Sequence, residues 1–84
     1  MRRLTLHVRN GVGLHARPAA ELAACASRFS CSIMLSAQGG SCDAKSIFAI
    51  LALDVEDGVR VTLVCDGIDE DEAAEALQAL EGTI

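Results

Sequence analysis

Read in order, this 84-residue chain alternates strand, helix, strand, strand, helix, strand, helix, which predicts an α+β fold: an open-faced β-sandwich whose four-stranded antiparallel sheet is covered on one face by three helices. Three observations carry that expectation. Stretches with apolar residues at every second position are interleaved with stretches of helical spacing. The connections are short and rich in Gly and Asp. With 51% apolar residues, a chain this short can bury one core and no more, since a domain of this size hides only about 60% of its unfolded surface. Residues 1–84 are expected to form a single domain without repeats or low-complexity tracts.

Each element has its own warrant. In residues 3–8, Leu4, Leu6 and Val8 alternate with Thr5 and His7, the pattern of a half-buried strand; His7 is placed toward solvent and given no role. A first helix is expected over residues 16–28. Pro18 suits its first turn, where the missing N–H costs nothing, and Ala19, Ala20, Glu21, Leu22, Ala23 and Ala24 are strong helix formers. Its inward face draws on Ala19 or Ala20, Leu22, Ala23, Ala26 and Phe29, and Ser30-Cys31-Ser32 closes it. Ile33, Leu35 and Ala37 then mark a second strand. Gly39-Gly40 reads as a two-residue hairpin turn into a short third strand over residues 41–44.

Ser46 is the expected N-cap of a helix over residues 47–53. That run is too apolar to be buried whole on one small sheet. The expectation is Ile47, Phe48 and Leu51 outward as a partner-binding patch, with Ile50 and Leu53 inward; the competing reading is a short helix buried on all sides. Asp57-Gly58 turns the chain into a fourth strand over residues 59–65, with Val59, Val61, Leu63 and Cys65 on one face, and Gly67 ends it. Asp69 with Glu72 reads as an acidic capping box for a last helix that buries Ala73, Ala76, Leu77 and Leu80.

Composition narrows the function. A net charge of −5, with only seven scattered Lys and Arg and two aromatics, Phe29 and Phe48, argues against nucleic acid as a partner. There is no apolar run of about 18 residues and no basic, apolar leader. Neither membrane insertion nor a signal peptide is expected, and a cytoplasmic location is. Cys25, Cys31, Cys42 and Cys65 form no C-x-x-C pair, so reduced thiols are expected rather than a zinc site, with Cys25 and Cys65 in core positions. No metal or cofactor is expected.

The chemistry is concentrated in Gly13-Leu14-His15-Ala16-Arg17-Pro18-Ala19-Ala20. His15 falls just before or at the cap of the first helix. The first turn, at Ala16, Arg17 and Pro18, offers free N–H groups and the positive end of the helix dipole to an anion on His15. Arg17 adds a planar fork of donors that suits phosphate. Imidazole, with a reference pKa of about 6.5, presents a neutral nucleophilic nitrogen at neutral pH. Gly11 and Gly13 bracket Val12 as a loop free to bend. Against this stands a plain capping role, in which His15→Ala costs stability and nothing else.

The octapeptide resembles the active-site signature of the HPr family, the histidine-containing phosphocarriers of the bacterial phosphoenolpyruvate-dependent sugar phosphotransferase system. Asp43-Ala44-Lys45-Ser46-Ile47-Phe48 resembles the segment around that family's regulatory serine, and the likeness spans nearly the whole chain. It implies a βαββαβα fold and a carrier that is no enzyme itself but a substrate of partner phosphotransferases, acting as a monomer. By the same resemblance, His15 accepts phosphate from enzyme I and hands it to sugar-specific IIA components, Arg17 contacts the phosphohistidine, and Ser46 is open to an HPr kinase/phosphorylase. The alternative is an HPr-like regulatory adaptor of a nitrogen-type or catabolite-control branch, binding a transcriptional regulator or enzyme through the 46–53 helix. Two departures stand out. Family members often ring the histidine with lysines, where this chain has Ala24, Ser27 and Ala49 and keeps Arg17, Arg28 and Lys45; and Asp54 stands where glycine is frequent. Steering toward acidic partners is expected to be weaker.

Overall fold

In the computed structural model, which describes residues 1–84, the elements are β1 (Arg2–His7), α1 (Ala16–Ala26), β2 (Ser32–Ala37), β3 (Gly40–Asp43), α2 (Ile47–Leu53), β4 (Arg60–Asp66) and α3 (Glu70–Gln78). The strands form one antiparallel sheet in the order β1-β4-β2-β3. Their register sets Leu4 beside Leu63, Leu63 beside Leu35 and Leu35 beside Cys42, one continuous row against the helices. The next row on the opposite face is Thr5, Thr62, Ser36 and Ser41. A period of two in the sequence thus becomes one apolar and one polar face. Leu22 of α1, Ile50 of α2 and Leu77 of α3 close over the apolar face, each fully buried. No helix is long and apolar enough to cross a membrane.

Several local expectations give way to tertiary contacts. The hairpin turn is Gln38-Gly39, not Gly39-Gly40: both turn residues are left-handed, at φ 52° and 81°, and Gly40 pairs with Ala37 as the first residue of β3. Gly40 serves a different purpose, since a Cβ there would lie 2.9 Å from Cδ2 of Leu53 and the leucine side chain would have to shift. Regular α1 stops at Ala26, two residues short of the expected end, and tightens into Arg28 N–H to Cys25 O and Phe29 N–H to Ala26 O bonds.

In α2, the Ser46 hydroxyl accepts the Ala49 N–H at 3.2 Å, as its N-cap role requires. Asp54 closes the helix in the left-handed conformation, φ 52° and ψ 52°, which aspartate tolerates better than most side chains. Ile50 is buried and Leu53 half-buried, while Phe48 is 82% exposed and Leu51 36% exposed. Ile47 is a correction: it is half-buried against the core instead of pointing outward. The exposure of Phe48 also rules out a helix buried on all sides.

The capping box at α3 does not form. The Asp69 side chain makes no capping bond to its own helix; its carboxylate accepts the N–H groups of Ser30 and Cys31, both at 2.8 Å, where α1 gives way to β2. Two unpaired donors from another part of the chain hold it better than one from its own first turn. The Ser30 N–H, with the Cys31 N–H behind it, keeps the Asp69 carboxyl below the usual carboxylate range. Since the folded value lies below the unfolded one, the stabilisation is present above the ordinary value of 3.8 and disappears as pH falls through the folded one. Asp69→Asn is expected to lower the melting temperature by several degrees at pH 7, with the gap to the parent closing in acid. Paired melts across that pH range check this.

All four cysteines are free thiols, with Cys25, Cys31 and Cys65 buried and Cys42 half-buried. Burial first, and the Asp69 carboxylate second, push the Cys31 thiol up to about 11, which makes it a poor nucleophile.

Candidate functional site

The loop between β1 and α1 is built around Asn10. Its Oδ1 accepts the N–H groups of Val12 at 2.8 Å and Gly13 at 2.7 Å, while Nδ2 donates to Gly13 O at 2.9 Å and Ile84 O at 3.0 Å. The Gly11 N–H donates to the Asp57 carboxylate, and the Leu14 N–H to Val55 O at 2.9 Å. The loop is therefore pinned, contrary to the expectation that it bends freely. Gly13 is required by close approach: its φ is 104°, and a Cβ there would sit 2.4 Å from Val55 O. Leu14 is buried by these ties, so the next residue, His15, must turn outward.

His15 is the N-cap of α1, with φ −82° and ψ −169°, but its side chain makes no capping bond and is exposed to solvent. Its carbonyl accepts the Ala19 N–H and its own N–H donates to Gly13 O. The N–H groups of Ala16 and Arg17 find no acceptor in the protein, and Pro18 has none to place. Two donors at the positive end of α1 are left beside the imidazole. Arg17 is exposed and forms no ion pair. Together with Asn10, Pro18, Glu21 and Thr83, His15 and Arg17 line an open cleft of about 210 Å³.

Of the residues singled out in the sequence, His15, Arg17 and Pro18 line the cleft, and Ala16 contributes a backbone N–H beside it; the other walls were not anticipated. Asn10 had a signal, an asparagine two and three residues before free loop N–H groups, the Asx-turn pattern. Glu21, one helical turn beyond Arg17, was legible by spacing. Thr83 and Ile84 carry no local signal, because they come from the far end of the chain.

The remaining singled-out residues lie elsewhere. Lys45 Nζ donates to Phe29 O at 2.7 Å and the Arg28 guanidinium stacks 5.4 Å over the Phe29 ring. Both sit beyond the C-terminal end of α1, about 16 Å along an 11-residue helix from His15, so of the three basic residues only Arg17 lines the cleft. Ser46 does not line the cleft either. It begins α2, whose far end leads through Val55 to the His15 loop, with Phe48 and Leu51 exposed between. His7 is not a bare surface residue: it is half-buried, its Nε2 accepts from Arg60 Nε at 2.7 Å, and its N–H donates to the Glu81 carboxylate at 3.2 Å.

Comparisons with known proteins agree with one another. The family model for the PTS HPr component phosphorylation site matches residues 3–81. The chain is 43% identical over 74 residues to the HPr-like protein Crh of Bacillus subtilis, covering 88% of this chain and 87% of that one. It is 45% identical over 71 residues to the phosphocarrier protein HPr of Cupriavidus necator, covering 84% and 80%. Among solved structures, HPr-C-His from Thermoanaerobacter tengcongensis superposes with a TM-score of 0.90 at 41% identity, covering 99% of this chain and 93% of that one.

Proposed function

The chain belongs to the HPr family of phosphotransferase-system phosphocarriers, and from that premise we propose that it accepts a phosphoryl group on His15 from enzyme I and passes it to sugar-specific IIA components. The observation that carries this reading is an exposed N-cap histidine whose side chain caps nothing, set beside the unpaired Ala16 and Arg17 N–H groups. A nitrogen of neutral His15 attacks the phosphorus of a donor phosphohistidine in line. The new N–P bond forms as the donor's breaks, and each ring keeps the proton on its other nitrogen, so a phosphoryl group moves with no change in proton count. Arg17 and the two helix N–H groups stabilise the charge on the phosphoryl oxygens. Their exposure keeps the grip loose enough for the group to leave again.

The carrier cycle needs two partners bound in turn, and Phe48 with Leu51 supplies the apolar centre of a small, transient docking surface. In this reading the protein is a cytoplasmic monomer, and a site complete within one chain supports the monomeric state. Similarity to the HPr-like protein Crh supports a second reading, a regulatory adaptor that binds through α2. Phosphoryl exchange separates the two. Incubated with phosphoenolpyruvate and enzyme I, a carrier takes acid-labile phosphate and loses it to an added IIA component; an adaptor binds partners and exchanges nothing.

Ser46 is open to regulatory phosphorylation in this reading. Aspartate at position 46 still caps α2, but brings negative charge to the docking face. Ser46→Asp is expected to slow His15 phosphorylation by enzyme I about tenfold while leaving the fold intact. Equal rates for the two proteins would refute the regulatory role.

A further inference from the structure

We propose that Asn10 is the positioning residue of this site, holding the two walls of the cleft in register through a single side-chain amide. The inference rests on the reading of His15 as phosphoryl acceptor and deepens it.

Asn10 lies outside the octapeptide, yet every arm of its amide is used. Oδ1 accepts from Val12 and Gly13, which shapes the loop; an ordinary Asx turn would end there. The donor arm does something a local turn does not require. Nδ2 donates to Gly13 O, the same carbonyl that accepts the His15 N–H, so Asn10 grips the atom that orients the His15 backbone. It also donates to Ile84 O, from a residue 74 positions away. That second bond fastens the C-terminal turn, which is already formed by the Thr83 and Ile84 N–H groups on Leu80 O and anchored by the buried Ile84 side chain.

Thr83 of this turn and Asn10 itself are walls of the cleft that holds His15 and Arg17. One neutral amide thus spans both sides of the site, and it brings no charge of its own to the phosphoryl group. Fixing the donors before the phosphoryl group arrives removes reorganisation from the transfer step. The docking residues Phe48 and Leu51 make no contact with this amide and belong to a different element.

The test separates the two arms. Asn10→Asp keeps both acceptor bonds and turns both donations into a carboxylate oxygen facing another acceptor oxygen; Asn10→Ser retains a local hydroxyl acceptor, is neutral, and is too short to reach Ile84. Steady-state phosphorylation by enzyme I is measured for both with the parent, together with the lifetime of the isolated phosphohistidine, well below each melting midpoint. The expected result is a kcat lowered about tenfold with KM for the carrier unchanged, a phosphohistidine lifetime shortened severalfold, and displaced amide resonances of Ala16 and Arg17. If Asn10→Asp does not fold, Asn10→Ser carries the same comparison. Lower melting temperatures with unchanged kcat and lifetime would reduce Asn10 to a structural residue and overturn the inference. A parent protein that takes no phosphoryl group on His15 would instead overturn the reading beneath it, and the inference with it.

Discussion

His15→Ala is expected to abolish uptake of acid-labile phosphate completely while leaving the melting curve nearly unchanged. The loss is total because no other nucleophile faces the unpaired N–H groups of Ala16 and Arg17. The stability change stays within about 0.5 kcal/mol, the range of exposed side chains that hold nothing in place. A true N-cap truncated to alanine costs about 1 kcal/mol, but the His15 imidazole makes no capping bond to lose. Intact-mass spectrometry before and after acid treatment, beside a thermal melt, reads both quantities. Phosphate retained on the variant would move the acceptor elsewhere, with His7 the one remaining histidine and its Nε2 already engaged by Arg60. A large fall in stability would restore the capping role that the geometry removes.

Gly13→Ala is expected to be the most damaging single change in the loop. The added Cβ would stand 2.4 Å from Val55 O and 3.2 Å from the Asp57 nitrogen, on a residue whose φ is 104°. Backbone on both sides has to move. Val55 O is also the acceptor of the Leu14 N–H, so relief of the clash pulls the buried Leu14 away from the core and His15 with it. Strain and lost packing together cost about 3 kcal/mol, or a melting temperature lower by about 15 °C in a domain of this size. Gly11→Ala is the control. Its φ is also positive, at 84°, but nothing lies within 4 Å of the new Cβ. It bears only the left-handed penalty of about 1–2 kcal/mol. Equal melting temperatures for the two variants would show that Gly13 serves conformation alone and not close approach.

The order of elements, the inward faces of β1, β2 and β4, the Ser46 cap and the His15 helix start were all legible in the chain, because each depends on residues within a few positions of one another. Alternation of Leu4 and Leu6, or of Val61, Leu63 and Cys65, is a local property that any sheet must respect. So is the reach of a serine hydroxyl to an N–H three residues on. Where local rules offered a polar side chain one partner, the fold supplied a better one. Asp69 left its own helix for the Ser30 and Cys31 N–H groups, Lys45 left the neighbourhood of His15 for Phe29 O, and Asn10 reached Ile84. The hairpin turn moved one residue because Gln38 accepted a left-handed backbone so that Gly40 could pass beneath Leu53. Sequence by itself thus determined which residues are apolar on which face and where the first helix begins. Tertiary structure alone decided which donors meet which acceptors, because a hydrogen bond needs its atoms within about 3 Å, and only the packed core brings distant stretches of chain that close.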